Sequence, residues 1–106
     1  MKNKTEVIFR KWKEGGEIIA LFPYEIENQN GKASIDVMSC MHIGQHGGAN
    51  YLGCIQSTIP AKRTEYQGLK DELENYIGYD LRVIKRRNFT RYADALRREL
   101  KRWRSL

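Results

Sequence analysis

Apolar positions follow two rhythms along this chain. Up to about residue 58 they alternate or run together; from residue 62 they recur every three or four places. Residues 6–12, Glu-Val-Ile-Phe-Arg-Lys-Trp, are rich in β-branched and aromatic types and predict a strand. Lys13-Glu14-Gly15-Gly16 predicts a turn, since paired glycines reach positive φ at little steric cost. Residues 17–22 are apolar on both faces, which predicts a central strand. Pro23 lacks an N–H and is expected to limit that strand's pairing. Asn30-Gly31 is the pair that type I′ hairpins favour. The third strand runs from about Ser34 to Ile43. Alternation puts Ile35, Val37, Ser39, Met41 and Ile43 on one face and Asp36, Met38, Cys40 and His42 on the other. A glycine-rich loop over Gly44–Asn50 and a fourth strand over Tyr51–Thr58 are expected to follow.

Beyond Ile59-Pro60, Tyr66, Leu69, Leu73, Tyr76 and Ile77 form one helical stripe over about Lys62–Ile77, with Gly78 as its terminator. Leu81–Ile84 predicts a fifth strand. Phe89, Tyr92, Leu96, Leu100 and Trp103 give a second stripe, on a helix capped by Asn88 or Thr90 and running to about Arg104. The pattern predicts an α+β fold: an antiparallel sheet of four to five strands, one packed helix and a C-terminal basic amphipathic helix. Its 106 residues predict one domain, with residues 1–87 as the α+β part and 88–106 as the basic helix.

Charge adds an asymmetry that the apolar pattern does not show. Residues 1–84 carry ten Lys/Arg against eleven Asp/Glu, whereas residues 85–106 carry nine against two. The whole net charge of +6 therefore belongs to the last fifth of the chain. Lys85, Arg86, Arg87, Arg91, Arg97, Arg98, Lys101, Arg102 and Arg104 are the expected contacts to nucleic acid or another acidic partner. Aromatic residues among them suit stacking on unpaired bases or a core-facing stripe. An anionic membrane surface is a further option for such a helix. No run of 18 apolar residues is present, so no transmembrane segment is expected, and the apolar run at Val7–Phe9 is too short for a signal peptide. The expected compartment is cytoplasmic, with Cys40 and Cys54 as reduced core thiols.

The second candidate is the stretch that holds both histidines. His42, Gly44, Gln45, His46 and Gly47 form a candidate ligand pocket. Cys40, His42, His46 and Cys54 offer donor types that zinc prefers, but their spacing matches no common zinc module. No cofactor is therefore expected, with zinc as the alternative. The same glycines expose backbone N–H groups to an anion, yet they lack the Lys-Ser/Thr of a P-loop. Gly44-Gln45-His46-Gly47 also has the Gly-x-x-Gly spacing of KH domains, but between strands and without a cation. A histidine base or cysteine nucleophile lacks any accompanying signature, so catalysis is not the expectation.

The segments Phe9-Arg10-Lys11-Trp12, Gly16–Pro23, His42–Gly47, Glu65-Tyr66 with Leu69, and Ile77-Gly78-Tyr79 occur in an order of their own. In that order the chain resembles a family of small uncharacterised proteins of gut bacteria and their phages or mobile elements. The resemblance spans roughly residues 7–86. It implies a mobile-element origin and carries no activity. The expected function is a small non-enzymatic binding protein that engages nucleic acid or another acidic partner through its basic helix. The alternatives are a ligand or metal site at the His42/His46 loop, enzymatic or not, and an adaptor or inhibitor of a host protein. A sheet edge and a helical stripe also admit a homodimer.

Overall fold

The computed structural model describes residues 4–29, 32–41 and 45–104. Among these, six strands form one mixed sheet: β1 (Thr5–Trp12), β2 (Ile18–Gln29), β3 (Lys32–Met41), β4 (Gln45–Ala49), β5 (Thr58–Pro60) and β6 (Leu81–Val83). The helices are α1 (Tyr51–Ser57), α2 (Arg63–Glu72, continued by a π turn over Leu73–Ile77) and α3 (Phe89–Arg104). This corrects the expected antiparallel sheet of four to five strands with one packed helix. The sheet is six-stranded and mixed, because β6 runs parallel to β1.

The first three strands form a meander for the reasons the sequence suggests. Gly15 and Gly16 take φ of 83° and 72° in the β1–β2 turn, the left-handed region that suits glycine. Gln29 pairs with Lys32, so two residues, Asn30 and Gly31, connect β2 to β3; both lie outside the described residues. Pro23 does not end β2. The register runs Phe22 with Met38 and then Ile26 with Val37, so Pro23, Tyr24 and Glu25 stand out as a bulge. A bulge is where a sheet tolerates a residue without an N–H.

The expected fourth strand is a helix. Asn50 caps α1 by accepting the Gly53 N–H at 2.7 Å on its Oδ1. Tyr51 and Cys54, three apart, are the buried positions of that helix. The actual fourth strand lies in the expected glycine-rich loop. Gln45–Ala49 pairs antiparallel with β3, and Ser39 Oγ donates to the Gly47 carbonyl at 2.9 Å.

The sheet carries a core on each face. Val7, Phe9, Ala20, Phe22 and Cys40 meet Leu69 and Leu73 of α2 on one face. Ile8, Ile19, Leu21 and Val37 meet Tyr51 and Cys54 of α1 and Tyr92 of α3 on the other. The result is three layers, helix–sheet–helix, each core fed by alternate residues of the same strands. The stripe of α2 ends at Leu73. A π turn holds more residues than an α turn, so the phase shifts and Tyr76 swings outward to 87% exposure. Gly78, at φ 92°, then closes the segment, its N–H and that of Tyr79 both donating to the Leu73 carbonyl.

Candidate basic surface and the pocket at the sheet fork

The segment from Lys85 onward is held by tyrosines of other elements. Tyr51 of α1 accepts the Arg87 backbone N–H at 3.2 Å, and Tyr24 of the β2 bulge accepts that of Asn88 at 2.7 Å. Asn88 in turn caps α3, its Oδ1 accepting the Arg91 N–H at 3.1 Å. The Arg87 guanidinium lies between the rings of Tyr51 and Tyr92, 3.9 and 3.8 Å from their centroids. Arg91 sits 4.1 Å over the Tyr24 ring and donates to Glu6 Oε1 at 2.7 Å. Arg87 thus ties α3 to α1, and Arg91 ties α3 to the sheet, each by cation–π contact. Tyr92 and Ala95 are buried beneath the helix, whereas Phe89 of the expected stripe is 71% exposed.

The nine cations therefore divide. Arg87 and Arg91 are engaged inward. Lys85, Arg86, Arg97, Arg98 and Lys101 are exposed, and Arg97 also contacts Asp94 of its own helix at 3.0 Å. Arg102 and Arg104 lie in the last turn of α3. The chain is thus an α+β domain with an exposed basic C-terminal helix.

The histidine stretch is only partly in view. His42 and Gly44 lie outside the described residues. Gln45, His46 and Gly47 are part of the edge strand β4, with His46 opposite Cys40. Cys40 and Cys54 are buried in different cores, on opposite faces of the sheet, so the fold does not bring the two thiols together. Among the described residues no group of three or more His, Cys, Asp or Glu is gathered to hold a metal. Burial pushes the Cys40 thiol above its ordinary range, and Glu72 adds to the shift, so the thiol keeps its proton. Burial likewise raises Tyr79, followed by Glu25 and Cys40.

A different site comes from β1. Its outer edge is shared: β5 pairs with Arg10–Trp12 and β6 with Thr5–Val7. Because β5 is antiparallel and β6 parallel, both approach the middle of β1 and then turn away. Their last ties are Ala61 N–H to the Phe9 carbonyl at 3.3 Å and Ile84 N–H to the Val7 carbonyl at 2.8 Å. A cavity of about 350 Å³ opens in this fork, bordered by Arg10, Arg63 and Lys85 and walled by Phe9, Pro60, Ala61, Tyr66, Val83 and Ile84. Phe9 and Tyr66 stack at 4.4 Å, 5° from parallel. Arg10 donates to Thr58 Oγ1 at 2.9 Å, to the Thr58 carbonyl at 2.9 Å and to the Ile55 carbonyl at 3.2 Å, all neutral acceptors.

Sequence reasoning missed Arg10, Arg63 and Tyr66 as site residues. An arginine inside an apolar strand was the available signal for Arg10. Its partners lie 45 and 48 residues away and have no local trace.

No family model, curated protein or solved structure matches this chain. No helix among the described residues is long and apolar enough to cross a membrane.

Proposed function

We propose that this is a non-enzymatic binding protein of a mobile element that engages nucleic acid through the outer face of its basic segment. The observation that carries the reading is the division of labour within that segment. Tyr92 and Ala95 bury one side of α3, and Arg87 and Arg91 lock its start, so Arg86, Arg97, Arg98 and Lys101 stand outward on a fixed frame. Cations held so suit the regular charges of a phosphate backbone, whose neutralisation releases counterions. Phe89, exposed beside them, offers a ring to an unpaired base.

The test is binding of a short single-stranded DNA and RNA across a salt titration. A variant with Arg86, Arg97, Arg98 and Lys101 all changed to Gln keeps the apolar contacts of α3 intact. It should fold normally, bind at least ten-fold more weakly at low salt, and show a shallower dependence of log K on log salt. Equal affinity for the variant and the parent, or no binding by the parent at low salt, refutes the proposal.

A further inference from the structure

We infer that the fork pocket is a second, separate binding site, for a phosphate monoester joined to a flat aromatic base: the chemistry of a nucleoside monophosphate. Three observations lead there. The first is charge. Arg10, Arg63 and Lys85 border the cavity, and among the described residues no Asp or Glu lines it and none of the three cations is paired with a carboxylate. Lys4, Lys11, Lys70, Arg91 and Arg97, by contrast, each have one. Three cations without a carboxylate partner on the border of one concave place suit a compact anion, and guanidinium groups suit phosphate in particular.

The second observation is the wall. Tyr66, half-buried and stacked on the buried Phe9, stands beside those cations, and Pro60, Ala61, Val83 and Ile84 complete an apolar lining. A bare phosphate would leave this surface unused, whereas a base would cover it. The third is size. About 350 Å³ lies at the small end of the range that ligand pockets occupy, enough for one nucleotide unit and too little for a run of them. The backbone prepares the site. β5 and β6 are tied to β1 on either side of the opening, and Arg10 is fixed by three bonds before any ligand arrives.

The unit has two sources, a free nucleotide or the terminal nucleotide of a 5′-phosphorylated strand. Calorimetric titration of the full chain with adenosine 5′-monophosphate, inorganic phosphate and adenosine tests the chemistry. The monophosphate should bind at least ten-fold more tightly than either fragment. Arg63→Gln and Lys85→Gln, at exposed positions, should each weaken it by about ten-fold with unchanged thermal unfolding. Tyr66→Leu should bring it down towards the affinity of inorganic phosphate. Arg97→Gln with Arg98→Gln, away from the cavity, should leave it unchanged. Equal binding of adenosine and its monophosphate, no binding at millimolar concentration, or full affinity in both Arg63→Gln and Lys85→Gln overturns the inference. Competition then assigns the source, each result supporting the site. Displacement of the monophosphate by a 5′-phosphorylated oligonucleotide, but not by its 5′-hydroxyl form, assigns the strand end; no displacement by either assigns the free nucleotide. The pocket shares only Lys85 with the basic segment. Strand binding lost in the outward-cation variant, with monophosphate binding kept, therefore separates the two sites.

Discussion

At the scale of single residues, the main lesson is that a cation's place in the sequence says little about its task. Arg87 and Arg98 both belong to the basic run, yet one guanidinium lies between two tyrosine rings and the other is exposed. Arg87→Ala should cost about 1–2 kcal/mol in urea unfolding, the sum of two cation–π contacts, whereas Arg98→Ala should change stability little. Charge count and apolar spacing are visible in a sequence; the rings from residues 51 and 92 that enclose Arg87 are not. Two carboxylates make opposite pH predictions. Glu65 is held below the ordinary carboxylate range, mainly by the hydrogen bond from Lys11 and then by the Lys62 N–H. Its contribution is present above the unfolded-state pKa and is lost as pH falls through the lowered folded value. Glu25, in the bulge, is raised by desolvation. The folded state holds that proton more tightly, so ionisation at neutral pH weakens the fold, and the penalty disappears as pH falls through the raised value. Thermal melts at pH 7 should show Glu65→Gln below the parent and Glu25→Gln above it. At pH 3 both differences should shrink.

At the scale of elements, legibility followed length and caps. The β1–β2 turn, the alternation of Val37 to Met41, the α2 stripe up to Leu73 and the start of α3 at Asn88 could all be read, because each rests on neighbours in the chain. Residues 45–57 could not. Tyr51 to Thr58 is a short, mostly apolar run, for which strand and helix periods are hard to tell apart. The deciding feature is the Asn50 side chain on the Gly53 N–H. Asn50→Ala should therefore cost about 1 kcal/mol in denaturant unfolding. The glycines of β4 disguised a strand as a loop, since their low β propensity is offset by pairing with β3. The fork pocket was illegible for a related reason. It exists only because β5 and β6 share one edge of β1, a long-range fact that no window of sequence holds.

At the scale of the molecule, α3 is both charge carrier and roof. It covers the sheet face formed by Ile8, Ile19, Leu21 and Val37, together with α1. Deleting residues 88–106 should therefore expose an apolar face, and the truncated chain should bind a hydrophobic dye and self-associate in sedimentation. The four-fold Gln variant should do neither. The sharing of β1 between two strands also bears on how the molecule assembles. Among the described residues, the outer edge of β1 is satisfied by two short stretches far along the chain, around residues 58–61 and 80–84. During synthesis its apolar residues wait, half-paired, until most of the domain has left the ribosome. Closure of that edge comes late, after β2 has covered the inner one, which leaves β1 open to wrong pairing while the chain is growing.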